Sequence, residues 1–112
     1  MLKVMWFLKR ADGISLEQFD AWWREHLQMI ADRQRPQLLR YTVNIRTSDT
    51  DTLAGHPGTD CGWDGVAEQW FADEAAFEQV YGRPSAAETR ADTLAHVSRF
   101  ERLFVHEIAV IE

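Results

Sequence analysis

The sequence predicts an α+β domain in which helices cover one face of an antiparallel sheet. Segments with two-residue alternation of apolar side chains are separated by segments with helical spacing, in the order β-α-β-β-α-α-β. The 112 residues suit one domain, spanning 1–112. Apolar residues make up 46% of the chain, which is enough for a packed core.

The first strand is predicted over residues 2–9. Both of its faces are apolar, with Val4, Trp6 and Leu8 on one and Met5 and Phe7 on the other. A strand that is apolar on both faces is expected at the centre of a sheet and covered on both sides.

The first helix is predicted to begin at Ser15, because Ser15 and Gln18 have the spacing of a capping box. Its apolar stripe contains one ionisable residue, His26. The other members of the stripe are Phe19, Trp22, Trp23, Leu27 and Ile30. Because such a stripe packs on the sheet, His26 is expected in the core or in a pocket beneath the helix.

Two further strands are predicted over residues 38–47 and 64–71. In the former, Leu39, Tyr41, Val43 and Ile45 alternate with Arg40, Thr42, Asn44 and Arg46. This alternation predicts one solvated face, as at a sheet edge. In the latter, Val66, Glu68 and Trp70 share one face, opposite Ala67, Gln69 and Phe71. The intervening segment 48–63 is long for a connector and is expected to be functional or mobile.

The C-terminal part predicts two helices and a last strand. Asp73 caps a short helix, and a second helix restarts at Ser85 with Ala87, Ala91, Leu94 and Ala95 inward. The last strand is predicted over residues 103–111. This order gives a ferredoxin-like βαββααβ fold with a four-stranded antiparallel sheet. Because the strands are apolar on both faces, a second copy is expected to cover the open face in a homodimer.

Composition excludes several classes of partner. A net charge of −6 argues against binding to nucleic acid or to an anionic membrane surface.

The single cysteine, Cys61, excludes an internal disulfide. The first ten residues lack the pattern of a signal peptide, and no apolar run approaches the roughly 20 residues that span a bilayer. A cytoplasmic location is therefore expected.

His26 is the main candidate for chemistry, because an imidazole transfers protons near neutral pH. The alternative is a core histidine satisfied by a hydrogen bond. Tyr41 offers a hydroxyl, and Glu68 is either a paired carboxylate or one with a raised pKa. His56 lies in the long segment as Gly55-His56-Pro57, where a solvated side chain is the alternative.

The aromatic content suggests either a core and interface or a pocket for a flat ligand. Five tryptophans occur: Trp6, Trp22, Trp23, Trp63 and Trp70. The residues predicted to bind a substrate are Trp6, Trp22, Trp23, Glu68 and Trp70. The sequence carries no metal, nucleotide or activated-nucleophile motif, so acid-base chemistry without cofactor or metal is expected.

The chain resembles the EthD domain family of the dimeric α/β-barrel superfamily. The resemblance rests on the first strand, on the helix start at residues 15–19, on Trp22-Trp23-Arg24-Glu25-His26, on Tyr41 with Asn44, and on the 64–71 strand. It implies the same fold and covers most of the chain in order.

Within that group, the chain is most similar to the methylmuconolactone methylisomerases. The similarity lies in His26-Leu27-Gln28-Met29, Tyr41, a loop histidine and Glu68-Gln69-Trp70-Phe71. It implies His26 as acid or base, Tyr41 as hydroxyl donor and His56 as a second acid-base group. The loop around His56 differs from the family's loop.

These features predict a cofactor-independent isomerase or lyase acting on a small cyclic lactone or aromatic-derived metabolite. Two alternatives stay open: a cofactor-free monooxygenase of the same fold, and a non-catalytic protein that binds small molecules. Polar groups converging on His26 in a cavity would favour catalysis.

Overall fold

The computed structural model describes residues 1–50, 52–53, 55–57 and 61–112, so part of the 48–63 segment lies outside the described residues. The elements are β1 (Leu2–Arg10), α1 (Leu16–Gln34), β2 (Leu38–Ile45), β3 (Thr52–Leu53), β4 (His56–Pro57), β5 (Gly65–Phe71), α2 (Glu74–Tyr81), α3 (Pro84–His96) and β6 (Val97–Val105). The predicted order is confirmed, with a short ribbon of β3 and β4 added in the long segment.

In this described part of the chain, four strands form an antiparallel sheet in the order β2-β5-β1-β6. The ferredoxin-like α+β fold is therefore confirmed, with β1 central and β2 at an edge. Direct cross-strand neighbours share a face, as Trp6 and Ala67 do between β1 and β5. The face that meets the helices carries Val4, Trp6, Leu8, Ala67, Gln69, Phe71, Phe100 and Arg102.

Helix α1 is positioned by its cap and by its buried stripe. The Ser15 hydroxyl accepts from Gln18 N–H while the Gln18 side chain accepts from Ser15 N–H, which confirms the capping box. The buried stripe comprises Phe19, Trp23, His26, Ile30 and Gln34. This packing presents His26 to the sheet.

A glycine allows α1 to lie close to the sheet. A Cβ atom at Gly65 would stand 2.0 Å from Trp23 Cζ3 and 2.9 Å from the Asn44 carbonyl oxygen. Only a residue without a side chain fits at this contact. Trp23 is thereby held against the sheet at the start of β5.

The edge strand β2 departs from strict alternation. Its register with β5 shifts between Leu38 and Arg40, which is typical of a bulge. Leu38 is consequently buried at 8% exposure, whereas Leu39 is 54% exposed. The prediction that Leu39 shares the inward face of Tyr41 is wrong, because the extra residue turns Leu39 outward.

Helix α3 buries a polar side that the apolar pattern did not indicate. It begins at Pro84, one residue before the predicted start, and its buried residue is Thr93. Of the four residues predicted to face inward, Ala91, Leu94 and Ala95 are exposed, so the prediction is wrong for them. Ala87 borders the space between α3 and the sheet. The physical reason is that Thr93 bonds to His26 on α1, which turns that side of the helix inward.

The last strand begins earlier than predicted. β6 follows α3 directly at Val97, and its pairing with β1 ends at Lys3↔Val105. Because β1 itself starts at Leu2, which is opposite position 106 in this register, residues beyond His106 have no residue of β1 to pair with. The predicted strand over residues 103–111 is therefore wrong for residues 106–111.

The opposite face of the sheet combines apolar side chains with a charged cluster. Met5 and Phe7 lie there beside Val66 and Leu103. Lys3 Nζ lies 3.0 Å from a Glu68 carboxylate oxygen and 2.8 Å from one of Glu107. Leu103 is 51% exposed on this face.

In the described residues, none of the helices combines the length and apolarity that a membrane crossing requires.

Candidate functional site

A cavity of about 740 Å³ lies between the sheet and helices α1 and α3. This volume is within the roughly 300–1,000 Å³ that small-molecule sites occupy. Its aromatic walls are Trp6, Trp23, Tyr41, Tyr81 and Phe100, and its uncharged or titratable polar side chains are His26, Gln34, Gln69, Thr89 and Thr93. Apolar rings with a few polar groups are typical of a site for a cyclic organic molecule.

His26 lies in the wall of this cavity and is 6% exposed. Its Nδ1 atom is 2.6 Å from Oδ2 of Asp92 on α3. The same carboxylate oxygen accepts from the Trp22 indole N–H at 3.3 Å. A carboxylate accepts hydrogen bonds, so Nδ1 of His26 carries a proton and, in the neutral imidazole, Nε2 carries the lone pair.

The second ring nitrogen faces a hydroxyl that has two possible acceptors. Thr93 Oγ1 lies 3.2 Å from His26 Nε2 and 3.0 Å from the Thr89 carbonyl oxygen. The hydroxyl has one proton, which it donates either to Nε2 or to that carbonyl. When it bonds to Thr89, Nε2 is free to take a proton from a molecule in the cavity.

The electrostatics of the pair favour a neutral base. Burial lowers the pKa of His26 below its usual 6.5, and the bond to Asp92 opposes part of this effect. Charges on His96 and Arg33 lower the pKa further. A neutral imidazole near pH 7 is the form that accepts a proton.

Tyr41 lies in the same cavity wall as His26. Burial raises the pKa of its phenol well above the usual 10. The hydroxyl therefore keeps its proton at neutral pH and can donate a hydrogen bond to a ligand. This matches the donor role that the resemblance implies, while the role itself stays a prediction.

A closed network of side chains lines the cavity on the sheet side. Gln69 Oε1 accepts from Tyr81 O–H at 2.7 Å and from Trp6 Nε1–H at 2.8 Å. Gln69 Nε2 donates to Gln34 Oε1 at 2.7 Å, and Gln34 Nε2 lies 3.3 Å from the Tyr81 oxygen. Each member partners another, so the network fixes the Trp6 and Tyr81 rings. Burial raises the pKa of Tyr81 to about 12.

Of the predicted binding residues, Trp6 and Trp23 line the cavity, whereas Trp22 does not. Trp22 lies on the flank of α1, where its ring stacks on His96 with 4.5 Å between centroids. Its indole supports Asp92 and does not reach the ligand space. The prediction for Trp22 is corrected because α1 turns positions 23 and 26 toward the sheet, leaving position 22 beside α3.

Glu68 and Trp70 lie on the opposite face of the sheet from His26. Alternate residues of β5 point to opposite faces, so Glu68 and Trp70 point away from Gln69. Glu68 accepts from Thr42 and Lys3, and Trp70 Nε1 donates to Glu107. Burial opposes ionisation of Glu68, but the Lys3, Thr42 and Asn44 bonds together lower its pKa. Neither residue can touch a ligand in the cavity of its own chain.

His56 is exposed on the β3–β4 ribbon and is not among the residues that line the cavity. Trp63 lies against Phe7, with 5.6 Å between ring centroids, and it too is outside the cavity. The structure thus brings His26 and Tyr41 into one cavity and does not bring His56 to them. A role for His56 in acid-base chemistry has no geometric support in the single chain.

The residues that sequence reasoning missed are Asp92, Thr93, Gln34, Gln69 and Tyr81. Asp92 and Thr93 were missed because the apolar residues of α3 predict that a different face of this helix is buried. A signal was nevertheless present: Thr89 and Thr93 are four residues apart and so share one helix face. No group of three or more His, Cys, Asp or Glu side chains in the described ranges is arranged to hold a metal ion.

The fold and the cavity define a small ferredoxin-like α+β protein with an aromatic-lined internal site that contains a histidine–aspartate pair. The chain belongs to the EthD domain family, whose model matches residues 11–100. This confirms the predicted family. No curated protein matches the sequence, and the finer resemblance to methylmuconolactone methylisomerases stays a prediction.

Solved structures with the same fold share little sequence with this chain. A hydroxynitrile lyase from Passiflora edulis has a TM-score of 0.70 at 13% identity, covering 99% of this chain and 96% of its own. A DABB family protein with a ferredoxin-like fold from Mesorhizobium loti has a TM-score of 0.68 at 13% identity, covering 96% and 97%. A dimeric ferredoxin-like protein from Thermobifida fusca has a TM-score of 0.68 at 12% identity, covering 93% and 88%. These likenesses support the fold alone.

Proposed function

We propose that the protein is a cofactor-independent isomerase or lyase that moves protons on a small cyclic metabolite through His26. One observation carries the proposal: a buried imidazole faces a ligand-sized cavity and is held by a carboxylate on its other nitrogen. A histidine base whose ring is oriented by a carboxylate, as His26 is by Asp92, is a recurring arrangement in proton-transfer sites.

The chemistry follows from the protonation states of the two groups. His26 Nε2 takes a proton from a carbon next to a carbonyl. The carbonyl oxygen becomes negatively charged and accepts a hydrogen bond from the Tyr41 hydroxyl. His26 then returns the proton to another position, as in an isomerisation, or to a leaving group, as in an elimination. The aromatic walls favour a cyclic substrate, and the resemblance to lactone isomerases supports a lactone.

The assay measures proton abstraction without requiring knowledge of the product. Small lactones and cyclic ketones are incubated with the protein in D₂O, and the exchange of C–H for C–D is followed by NMR. His26→Gln should slow the exchange by about 10²- to 10⁴-fold, the usual contribution of a general base. His106→Gln is the matched control, because His106 is exposed beyond β6.

Equal exchange by wild type and His26→Gln would eliminate the catalytic role of His26. A protein that binds these compounds but catalyses no exchange would favour the alternative of a non-catalytic binding protein. The melting temperature of each variant is measured in parallel, so that loss of folded protein is not counted as loss of activity.

We also propose that the active form is a homodimer built through the outer sheet face. Met5, Phe7, Val66 and Leu103 lie on this face, and Leu103 remains half exposed in one chain. The Thermobifida fusca relative is described as dimeric. Pairing two such faces would remove apolar surface from water on both copies.

A further inference from the structure

The walls of the His26 cavity carry an unbalanced charge. Three arginines line it: Arg83 at the start of α3, Arg90 on α3 and Arg102 on β6. Glu101 also contributes to the lining, but its carboxylate accepts from Arg99. Arg99 and Glu101 are two residues apart on β6, so both side chains point to the outer face of the sheet, opposite to that of Arg102, and they pair there. The cavity is thus locally cationic in a chain whose net charge is −6.

The three arginines are not equivalent. Arg83 donates to the carbonyl oxygens of Arg33 and Arg35 at 2.8 and 3.3 Å and also to Gln37. These bonds occupy its guanidinium at the C-terminal end of α1, where a cation is favoured by the helix dipole. Arg83 therefore fixes α3 to α1 and has little capacity left for a ligand.

Arg102 and Arg90 retain their capacity to bind an anion. Across the described parts of the chain, no Asp or Glu carboxylate oxygen lies within 4.0 Å of a guanidinium nitrogen of either residue, which is the distance that defines an ion pair. The Arg102 guanidinium carbon lies 4.8 Å from the ring centroid of Phe104 and 5.6 Å from that of Trp6. Rings leave the edge of a guanidinium free, and five N–H donors remain for a planar acceptor.

The position of Arg102 places this charge beside the polar network of the cavity. Its charge lowers the pKa of Tyr81, against the larger effect of burial, so the two groups are electrostatic neighbours. Arg90 lies three residues before Thr93, on the face of α3 that also presents Thr93 to His26. The walls of this cavity therefore combine aromatic rings, the imidazole of His26 and the guanidinium groups of Arg90 and Arg102.

We propose that the cavity binds a small cyclic or aromatic carboxylate whose negative charge is held by Arg90 and Arg102. This inference rests on the proposed function in taking the His26 cavity as the ligand site. The planar fork of a guanidinium matches the two oxygens of a carboxylate, so each arginine can bind it through two parallel hydrogen bonds. The carboxylate anchors the ring against Trp6 and leaves the rest of the molecule within reach of His26.

The test compares two probes of nearly the same shape, 2-naphthoate and 2-naphthamide, by isothermal titration calorimetry. The anion should bind the wild-type protein about tenfold or more tightly than the amide, because bonds to a charged partner are stronger than bonds to a neutral one. Raising the salt concentration should reduce the difference.

Variants locate the charge. Arg90→Gln and Arg102→Gln should each weaken naphthoate binding by several-fold to tenfold and weaken naphthamide binding much less, because the amide forms only neutral-acceptor bonds to the guanidinium. Arg102→Lys keeps a cation at the site and should restore part of the preference, which separates loss of charge from loss of packing. Arg24→Gln is the matched control, since Arg24 is exposed on α1 and pairs with Asp20.

Equal affinity for the two probes would overturn the proposal, as would equal losses in Arg90→Gln, Arg102→Gln and Arg24→Gln. Absence of binding by either probe at millimolar concentration would also count against it. His26→Gln should still prefer the anion, so a failure of catalysis through His26 and a failure of anion recognition give different results.

Discussion

Nδ1 of His26 and Oδ2 of Asp92 are 2.6 Å apart, although 66 residues separate them in the chain. The bond joins α1 to α3 across the wall of the cavity and leaves Nε2 of the imidazole beside the Thr93 hydroxyl. A carboxylate that holds Nδ1–H selects one neutral tautomer, and this tautomer has its lone pair on the cavity side.

Asp92→Asn should lower the pKa of His26 further, because the bond to Asp92 and its charge both raise that pKa. The imidazole of the variant should also populate both neutral tautomers, since an amide can donate to Nδ1 as well as accept from it. Titration of the His26 ring signals by ¹⁵N NMR measures both effects. Asp20→Asn, which changes a carboxylate on the outer side of α1, should leave them unchanged; an unaltered His26 titration in Asp92→Asn would contradict the assignment.

The stability of the protein should depend on the protonation of His26. Burial places its pKa in the folded state below the usual 6.5 of the unfolded chain, so the unfolded state binds the proton more readily. The stabilisation is complete above pH 6.5 and is lost as pH falls through the folded-state pKa. Urea denaturation between pH 5 and 8 should give a steeper loss on the acid side for wild type than for His26→Gln. Parallel curves would show that His26 does not titrate in this window.

Gln69→Leu should destabilise the protein by about 1–3 kcal/mol, because buried partners lose their hydrogen bonds. Gln69 accepts from Trp6 and Tyr81 and donates to Gln34, and leucine can do neither. Urea denaturation measures the change in the free energy of unfolding. Gln79→Leu is the control, since Gln79 is exposed on α2 and should change stability by less than about 0.5 kcal/mol.

Gly65→Ala should destabilise the fold by about 1–3 kcal/mol, the usual cost of overpacking. The added methyl group would collide with the Trp23 ring. Shortening that ring with Trp23→Leu is itself costly, but the alanine should cost less in the Trp23→Leu background than in wild type. A double-mutant cycle in urea isolates this coupling. Strict additivity of the two changes would mean that the contact does not constrain the sheet.

Leu103→Asp should dissociate the proposed homodimer, because it puts a charge into the outer sheet face. Sedimentation velocity at micromolar concentration should find a dimer for wild type and a monomer for the variant. Leu94→Asp is the matched control: Leu94 is 50% exposed and Leu103 is 51% exposed, but Leu94 lies on α3. A monomeric wild-type protein would overturn the dimer, and equal effects of the two variants would place the interface elsewhere.

Part of the site was predictable because its signals are local. The apolar stripe of α1 repeats every three to four residues after a capping box at the start of the helix, and this period is enough to predict that His26 faces inward. Trp6 and Tyr41 were likewise assigned to faces by the two-residue period of their strands. The same two-residue period assigns Glu68 to one face of β5, but it does not say which face the helices cover. Only the tertiary structure shows that they cover the opposite face, so Glu68 lies outside the cavity.

The sequence by itself determined the element order, the central position of β1 and the burial of His26, because these depend on periodicity within one segment. Tertiary structure decided the partner of His26, the buried side of α3 and the end of β6. Each of these depends on contacts with another segment: Asp92 and Thr93 lie on a helix with weak apolar patterning, and β6 ends within one residue of the position where β1 begins. A hydrogen bond between segments 66 residues apart leaves no periodic trace in either segment, so only the folded chain could reveal the pair.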